Sequence, residues 1–251
     1  MNTTPIKRRS GKTLPKLKGI NNMYYVLSDL HGCYDLYAAM LDKINFSERD
    51  TLFFLGDAAD RGPDGIEIME DLRSRPNVVY LLGNHEDMFR RTARGWGKKL
   101  SRQDLEAWER TYRNWNERNG GQVTWEAWLR LPEERRSSLL EWMEKLPWYY
   151  EIALNGRAFL LAHAGVGRYQ KEKRPEDCVL HDFIWERMDY SKTYYRDKYL
   201  VTGHTPTWFI DPGLNHRIYT KNNHIAIDCG AVYTGILGCI CLDSLEQFYV
   251  N

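Results

Sequence analysis

Five short apolar runs punctuate this chain, and each ends in a histidine, aspartate or asparagine set beside a glycine. Residues 23–27 run into Ser28-Asp29-Leu30-His31-Gly32, and residues 51–55 into Gly56-Asp57-Ala58-Ala59-Asp60-Arg61-Gly62-Pro63. Residues 77–82 run into Gly83-Asn84-His85-Glu86, 158–162 into His163-Ala164-Gly165, and 199–202 into Gly203-His204-Thr205-Pro206. Runs of this length, rich in β-branched and aromatic residues and stopped by glycine or proline, predict buried strands followed by sharp turns. Between the first three, Leu36, Met40 and Leu41 repeat at helical spacing over 34–43, and Ile66, Met69 and Leu72 repeat after Pro63-Asp64-Gly65. Strand, helix, strand, helix, strand, helix is the βαβ pattern, which predicts parallel strands whose ends share one functional edge.

The texture changes between about residues 95 and 147. Trp96, Trp108, Trp115, Trp125, Trp128 and Trp142 lie there among many Arg and Glu residues, with a break at Asn119-Gly120-Gly121. An inserted helical cap is expected, its tryptophans forming the cap's own core; the alternative is that one or two of them face the active-site cleft. From residue 148 the chain returns to strands at 149–154, 158–162, 199–202, 225–228, 236–242 and 247–250. Hairpin spacing across Asp243-Ser244 suggests antiparallel pairing in this last third, and a second sheet packed on the first would account for both halves. The expected fold is thus α/β (α+β), two sheets flanked by helices with an inserted cap.

Composition narrows the class. At 251 residues, 43% hydrophobic and 27% charged, the chain has enough apolar material for a large core. It has no apolar run near the ~18 residues of a membrane span. No signal-peptide pattern is visible at its start, so a cytoplasmic location is expected. The five cysteines (Cys33, Cys178, Cys229, Cys239 and Cys241) show no paired metal spacing, and Cys239 and Cys241 alternate within an apolar run as buried strand residues do. Net charge is +1, yet Lys7, Arg8, Arg9, Lys12, Lys16 and Lys18 lie in a start without Asp or Glu. Residues 1–22 are expected to be a basic, flexible arm on a mildly acidic body spanning 23–251. A solvated terminus explains such a run without any specific nucleic-acid partner.

The chemistry lies at the strand ends. Asp29, His31, Asp57, Asn84, His163 and His204 are all oxygen or imidazole donors with no cysteine among them, a set suited to Mn, Fe or Zn rather than to a thiolate-bound structural zinc. A donor set of this size fits two divalent ions with one carboxylate shared, and Asp57 is the expected bridge. A lone Asp after a strand is ordinarily a turn or cap residue, and a lone His beside glycine is ordinarily structural. Four of seven histidines in the same strand-end setting are not required by packing, whereas His181, His216 and His224 lack that setting and are expected to be structural.

The ordered blocks Asp29-Leu30-His31-Gly32, Gly56 through Gly62 and Gly83-Asn84-His85-Glu86 resemble the signature blocks of calcineurin-like metallophosphoesterases, specifically the PPP-type serine/threonine phosphatases of bacteria and phages. His163-Ala164, Gly203-His204-Thr205-Pro206, Ile184-Trp185-Glu186-Arg187 and the segment 227–232 are similar to the later blocks, so the resemblance extends over most of residues 23–250. It implies the metallophosphatase fold and two divalent metals, manganese first, with Asp29, His31 and Asp57 on one and Asp57, Asn84, His163 and His204 on the other. It implies in-line attack by a metal-bridging hydroxide, with Arg61 and Arg187 on the phosphoryl oxygens. His85 is then the acid that protonates the leaving oxygen, oriented by Asp60.

For the substrate the resemblance points two ways. The start Asp-x-His-Gly-Cys-Tyr, present at residues 29–34, is shared with symmetrical dinucleoside tetraphosphatases. Asp60 and Thr205 depart from that branch, so a phosphorylated protein is the expected substrate, hydrolysed at serine or threonine, with tyrosine a further candidate. The alternatives are a symmetrical diadenosine tetraphosphatase or other nucleotide phosphohydrolase, and a non-catalytic scaffold, which is disfavoured because every expected position is filled.

Overall fold

The structure is a computed structural model describing residues 22–251. The basic arm expected over 1–22 therefore lies outside the described residues, apart from its last position. Strands β1 (Tyr24–Leu27), β2 (Thr51–Phe54) and β3 (Val78–Tyr80) alternate with helices α1 (Tyr34–Lys43), α2 (Gly65–Ser74) and α3 (Asn84–Gly95). Helices α4 (Arg102–Arg113), α5 (Gln122–Arg130) and α6 (Glu133–Met143) follow, with a π-helical turn at Asn114–Arg118. The rest of the chain is β4 (Tyr149–Leu154), β5 (Arg157–Ala162), α7 (Leu180–Ile184), β6 (Lys198–Thr202), α8 (Thr207–Ile210), β7 (Tyr219–Lys221), β8 (His224–Ala226), α9 (Ala231–Thr234), β9 (Leu237–Cys241) and β10 (Gln247–Val250).

Two five-stranded sheets result, in the orders β10-β9-β1-β2-β3 and β4-β5-β6-β8-β7. As the βαβ pattern predicts, β1, β2 and β3 pair in parallel. Side chains alternate across a strand, so β1 sends Tyr24 and Val26 between the sheets and Tyr25 and Leu27 toward the helices. The inter-sheet layer joins Val26, Phe53 and Leu55 of the first sheet to Phe159, Leu161, Val201 and Ile225 of the second. Because both faces of β1 are covered, it reads as an unbroken apolar run rather than an alternating one.

Three expectations are corrected. The β9–β10 hairpin is antiparallel as anticipated, but it joins the first sheet, where β9 pairs antiparallel with β1. In the second sheet β5, β6 and β8 run parallel, because the long connections between them allow the crossovers that parallel pairing needs. On α1 the buried stripe is Tyr37 and Met40, with Leu36 and Leu41 only half-buried. Strand β7 escaped prediction because it is three residues long and exposes Thr220 and Lys221.

The stretch between α3 and β4 contributes only helices. Trp115, Trp125 and Trp128 are buried, with Trp115 stacked on Phe89 of α3 at 5.4 Å. Trp125 and Trp128 stack at 4.9 Å, and Trp96, Trp108 and Tyr112 extend the cluster outward. No helix among the described residues is long and apolar enough to cross a membrane.

Candidate active site

The turn after β1 continues the parallel ladder onto the turn after β2: Asp29 N–H donates to Gly56 O at 3.0 Å and His31 N–H to Asp57 O at 3.0 Å. This backbone zipper sets Asp29 and His31 beside Asp57. Glu86, fully buried in the first turn of α3, accepts from the backbone N–H groups of Asp57 and Ala58, each at 2.8 Å, and so ties the β2 turn to the β3 turn. The second sheet is pinned to the same point, since His163 Nδ1 donates to Leu55 O at 2.9 Å and His204 N–H donates to the Asp29 carboxylate at 3.0 Å. Asp29, His31, Asp57, Asp60, Arg61 and His204 all adopt positive φ. None is a glycine, so each is strained by roughly 1 kcal/mol or more and is held there by its neighbours.

Asp57 is the hub. Its Oδ1 accepts from His85 N–H at 3.0 Å, and its Oδ2 lies 3.2, 3.8 and 3.9 Å from the Nε2 atoms of His163, His31 and His85. Three imidazoles spend one ring N–H on a backbone carbonyl: His31 Nδ1 on Ala59 O (2.9 Å), His163 Nδ1 on Leu55 O (2.9 Å) and His204 Nε2 on Trp185 O (3.1 Å). That fixes the tautomer of the neutral ring and turns the other nitrogen's lone pair inward, the usual preparation of a metal ligand. The Asn84 side-chain oxygen faces two of those lone-pair nitrogens, His163 Nε2 at 2.8 Å and His204 Nδ1 at 2.9 Å. With its amide turned the other way Asn84 would donate to both nitrogens, so hydrogen bonds alone satisfy the contact, while the oxygen-inward orientation offers a ligand to a cation. Two groupings have ligand atoms close enough for one ion: His31, Asp57 and His85, and Asp57, His163 and His204.

The electrostatics agree. The Asp57 carboxyl is held well below the usual range, because the surrounding imidazoles outweigh the cost of its burial. His163 is pushed up to about 9: burial alone would lower it, but Asp57 and Asp29 prevail. His204 is pushed down to about 3 by burial, with His163 adding to the effect. Burial, reinforced by Asp57, raises the Asp29 carboxyl, although His163 opposes the shift. Concentrated carboxylate charge thus demands either protons or cations at this point, and the nitrogen and oxygen donors fit divalent ions.

His85 packs against His31 at 4.6 Å between ring centres but differs from the other imidazoles in its partner. Its Nδ1 donates to Asp60 Oδ2 at 2.6 Å, and it is raised because Asp57 and Asp60 outweigh burial. The Arg61 guanidinium contacts the Nε2 atoms of His31 and His85. Gly120 fixes where Arg61 sits: its carbonyl accepts from Arg61 N–H at 3.0 Å, and at φ +77 a Cβ there would strike the Arg61 side chain at 2.9 Å.

Asp29, His31, Asp57, Arg61, Asn84, His85 and His204 line one cleft of about 410 Å³ together with Arg187, whereas His163, Asp60, Glu86 and Gly120 do not. Several lining or supporting residues were not singled out from sequence. Asp228, at the end of the run into Cys229-Gly230, is buried and raised well above its ordinary value by burial and then by Asp29. It carries the same strand-end signature as the others and could have been found by it. Trp115 Nε1 donates to Asp60 Oδ2 at 2.6 Å, a contact that no local pattern announces. None of the six tryptophans of residues 95–147 lines the cleft; its aromatic wall is Trp185, Trp208, Phe209 and Tyr233. His224 is buried against Thr202 and Tyr190, and His181 and His216 do not line the cleft.

The sequence profile of the calcineurin-like phosphoesterases matches residues 24–225. The chain is 27% identical over 232 residues to bis(5'-nucleosyl)-tetraphosphatase PrpE [asymmetrical] of Oceanobacillus iheyensis, covering 83% of this chain and 84% of that protein. It is 32% identical to the symmetrical bis(5'-nucleosyl)-tetraphosphatase of Paracidovorax citrulli, over 57% of this chain and 44% of that one. Serine/threonine-protein phosphatase 1 of Salmonella typhimurium is 28% identical, covering 85% and 88%. A crystal structure of a candidate diadenosine tetraphosphatase superposes with a TM-score of 0.65 at 16% identity, covering 94% and 95%. The expectation of a phosphoprotein substrate is overturned by these likenesses, in which tetraphosphatases predominate. The residues that had favoured it do not touch a ligand, because Asp60 and Thr205 are both buried and neither lines the cleft.

Proposed function

Since the chain belongs to the calcineurin-like phosphoesterase family, we propose that it is a hydrolase of dinucleoside tetraphosphates, cutting them unsymmetrically into a nucleoside triphosphate and a nucleoside monophosphate. One cleft brings together the donor cluster, two arginines and a wall of aromatic rings, and this juxtaposition carries the assignment. Unsymmetrical cutting is supported by the relative of that name, matched along 83% of the chain, where the symmetrical relative is matched along 57%.

Asp29, His31 and Asp57 would hold one divalent ion, and Asp57, Asn84, His163 and His204 a second, with manganese the first choice and iron or zinc suited to the same donors. When bound, the ions supply Lewis acidity, lowering the pKa of water toward about 7 and neutralising phosphate charge. Arg61 and Arg187 grip non-bridging oxygens with planar forks that match the spread charge of the transition state. His85 is assigned to proton delivery rather than ligation, because Asp60 engages its Nδ1–H and the carboxylates favour its charged form. Its Nε2 would pass the proton to the leaving oxygen.

The test is product analysis. Full-length protein loaded with Mn²⁺ and given diadenosine tetraphosphate should release ATP and AMP in equal amounts. Two ADP per substrate would refute the unsymmetrical cut, and turnover of phosphopeptides without turnover of the dinucleotide would refute the substrate class.

A further inference from the structure

Phe209 and Tyr233 are each 64% exposed, an unusual state for aromatic rings, and both line the cleft that holds the donor cluster. They flank the half-buried Trp208, whose ring centre lies 5.5 Å from Phe209 and 6.4 Å from Tyr233. Each is partnered by one of the two cleft arginines: the Arg61 guanidinium lies 5.4 Å from the Tyr233 ring centre, and that of Arg187 lies 5.6 Å from the Phe209 ring centre.

The backbone makes this presentation deliberate. Tyr233 rides on the short helix α9, which starts at Gly230 with φ +73. A Cβ on Gly230 would lie 2.1 Å from the Trp208 ring, so only glycine lets the two turns close on each other and stand their rings side by side. The Gly230 turn is also tied to the donor cluster, since Gly230 N–H donates to Asp228 Oδ1 at 2.8 Å. Exposed rings forfeit the burial that normally holds aromatics in place, and cation–π contact with an arginine recovers only part of it at an exposed site. A flat ring one guanidinium away from the phosphate-gripping group is where a nucleoside attached to that phosphate presents its base.

We infer that Phe209 and Tyr233 are base-stacking platforms that bind the nucleobases of the substrate, one beside each arginine. The site takes purine or pyrimidine nucleotides through their π-faces and discriminates a nucleotide from a bare phosphate ester. This rests on the dinucleotide reading for its role in turnover, but the platform itself can be tested without it.

Titration calorimetry of the Mn²⁺-loaded protein with AMP and with ribose 5-phosphate isolates the base. Stacking contributes ~1–3 kcal/mol per base, so AMP should bind about 5- to 150-fold more tightly. The Phe209→Leu/Tyr233→Leu double variant should erase most of that preference, whereas Phe209→Tyr and Tyr233→Phe should keep it. For diadenosine tetraphosphate, KM relative to the inhibition constant of inorganic tetraphosphate should rise by a similar factor in the double Leu variant. Equal affinity of the wild-type protein for AMP and ribose 5-phosphate, or a preference that survives in the double Leu variant, overturns the platforms. A base preference with no cleavage of diadenosine tetraphosphate would instead leave the platforms standing and remove the dinucleotide reading.

Discussion

Replacing Trp115 by Phe should slow proton delivery without touching the donor cluster. Trp115 is wholly buried in the π-helical turn between α4 and α5, and π turns are frequent where a helix must re-aim one side chain. Its Nε1–H and the Nδ1–H of His85 converge on one oxygen of Asp60, each at 2.6 Å, while the Asp60 backbone N–H is held by Thr124 at 2.8 Å. The carboxylate that orients the acid is therefore itself oriented by the helical segment. Phenylalanine keeps the stack on Phe89 but removes the donor, and a hydrogen bond to a buried charge is worth about 1.5–3 kcal/mol. The smaller ring leaves a cavity that adds roughly 1–2 kcal/mol. The combined loss of about 2.5–5 kcal/mol is below most of the typical range of about 5–15, and it should be visible as a shift in urea midpoint with unchanged slope.

The kinetic consequence separates orientation from packing. General acid catalysis is worth about 10²–10⁴-fold and matters most for poor leaving groups, so a loosened Asp60 should cost on the order of tenfold for phenyl phosphate and far less for p-nitrophenyl phosphate. Phe89→Leu, which disturbs the same stack but no hydrogen bond to Asp60, should lower stability without changing that ratio. If Trp115→Phe loses stability and keeps the wild-type ratio, Trp115 only fills space and the orienting role is wrong.

Other outcomes follow from the same geometry. Asp57→Asn should abolish binding of both ions, read as metal content of the purified protein, because Asp57 Oδ2 is the one carboxylate oxygen facing three imidazoles; a variant retaining two ions per chain would refute the bridge. His85→Asn should slow phenyl phosphate hydrolysis roughly 10²–10⁴-fold with metal content intact, and diadenosine tetraphosphate less, since a nucleotide leaves readily without a proton; an equal effect on both would exclude the acid. His224 is pushed down to about 3 by burial, so the unfolded chain takes up its proton first as pH falls below the ordinary value of 6.5. Stability is then complete above that value and lost below it, by about 2 kcal/mol at pH 5. His224→Gln should lack that share of the acid destabilisation in urea titrations at pH 7 and pH 5, and an unchanged difference would refute it.

What could be read from the residues was whatever the chain encodes locally. A strand that ends in Gly-Asp or Gly-Asn-His announces both the strand and the turn, and the ladder from Asp29 and His31 onto Gly56 and Asp57 follows once the strands are parallel. The pairing of β9 with β1 was not legible, because the apolar alternation of 237–241 suits either sheet and only long-range packing selects one. Likewise no spacing rule connects Trp115 to Asp60, which lie 55 residues apart. Phe209 and Tyr233 carry no periodic signal at all, since each sits on a helix of four residues.

That division explains why the reaction class was more accessible than the substrate. Donors for cations must be held rigidly, and the proposed ones sit at strand ends, with Asp29, His31, Asp57 and His204 in positive φ and fixed by backbone hydrogen bonds. Strand, glycine and donor are contiguous in sequence, and the motif is visible. Substrate recognition needs surface that a ligand can cover, and here it is assembled from the turns after β6 and β8 and the cleft arginines, segments whose proximity only the fold creates. Asp60 and Thr205, which had suggested a phosphoprotein, belong to the buried support of the turns and do not line the cleft. The exposed rings beside the arginines do line it, and they are where the proposed selection between a phosphate ester and a nucleotide would be made.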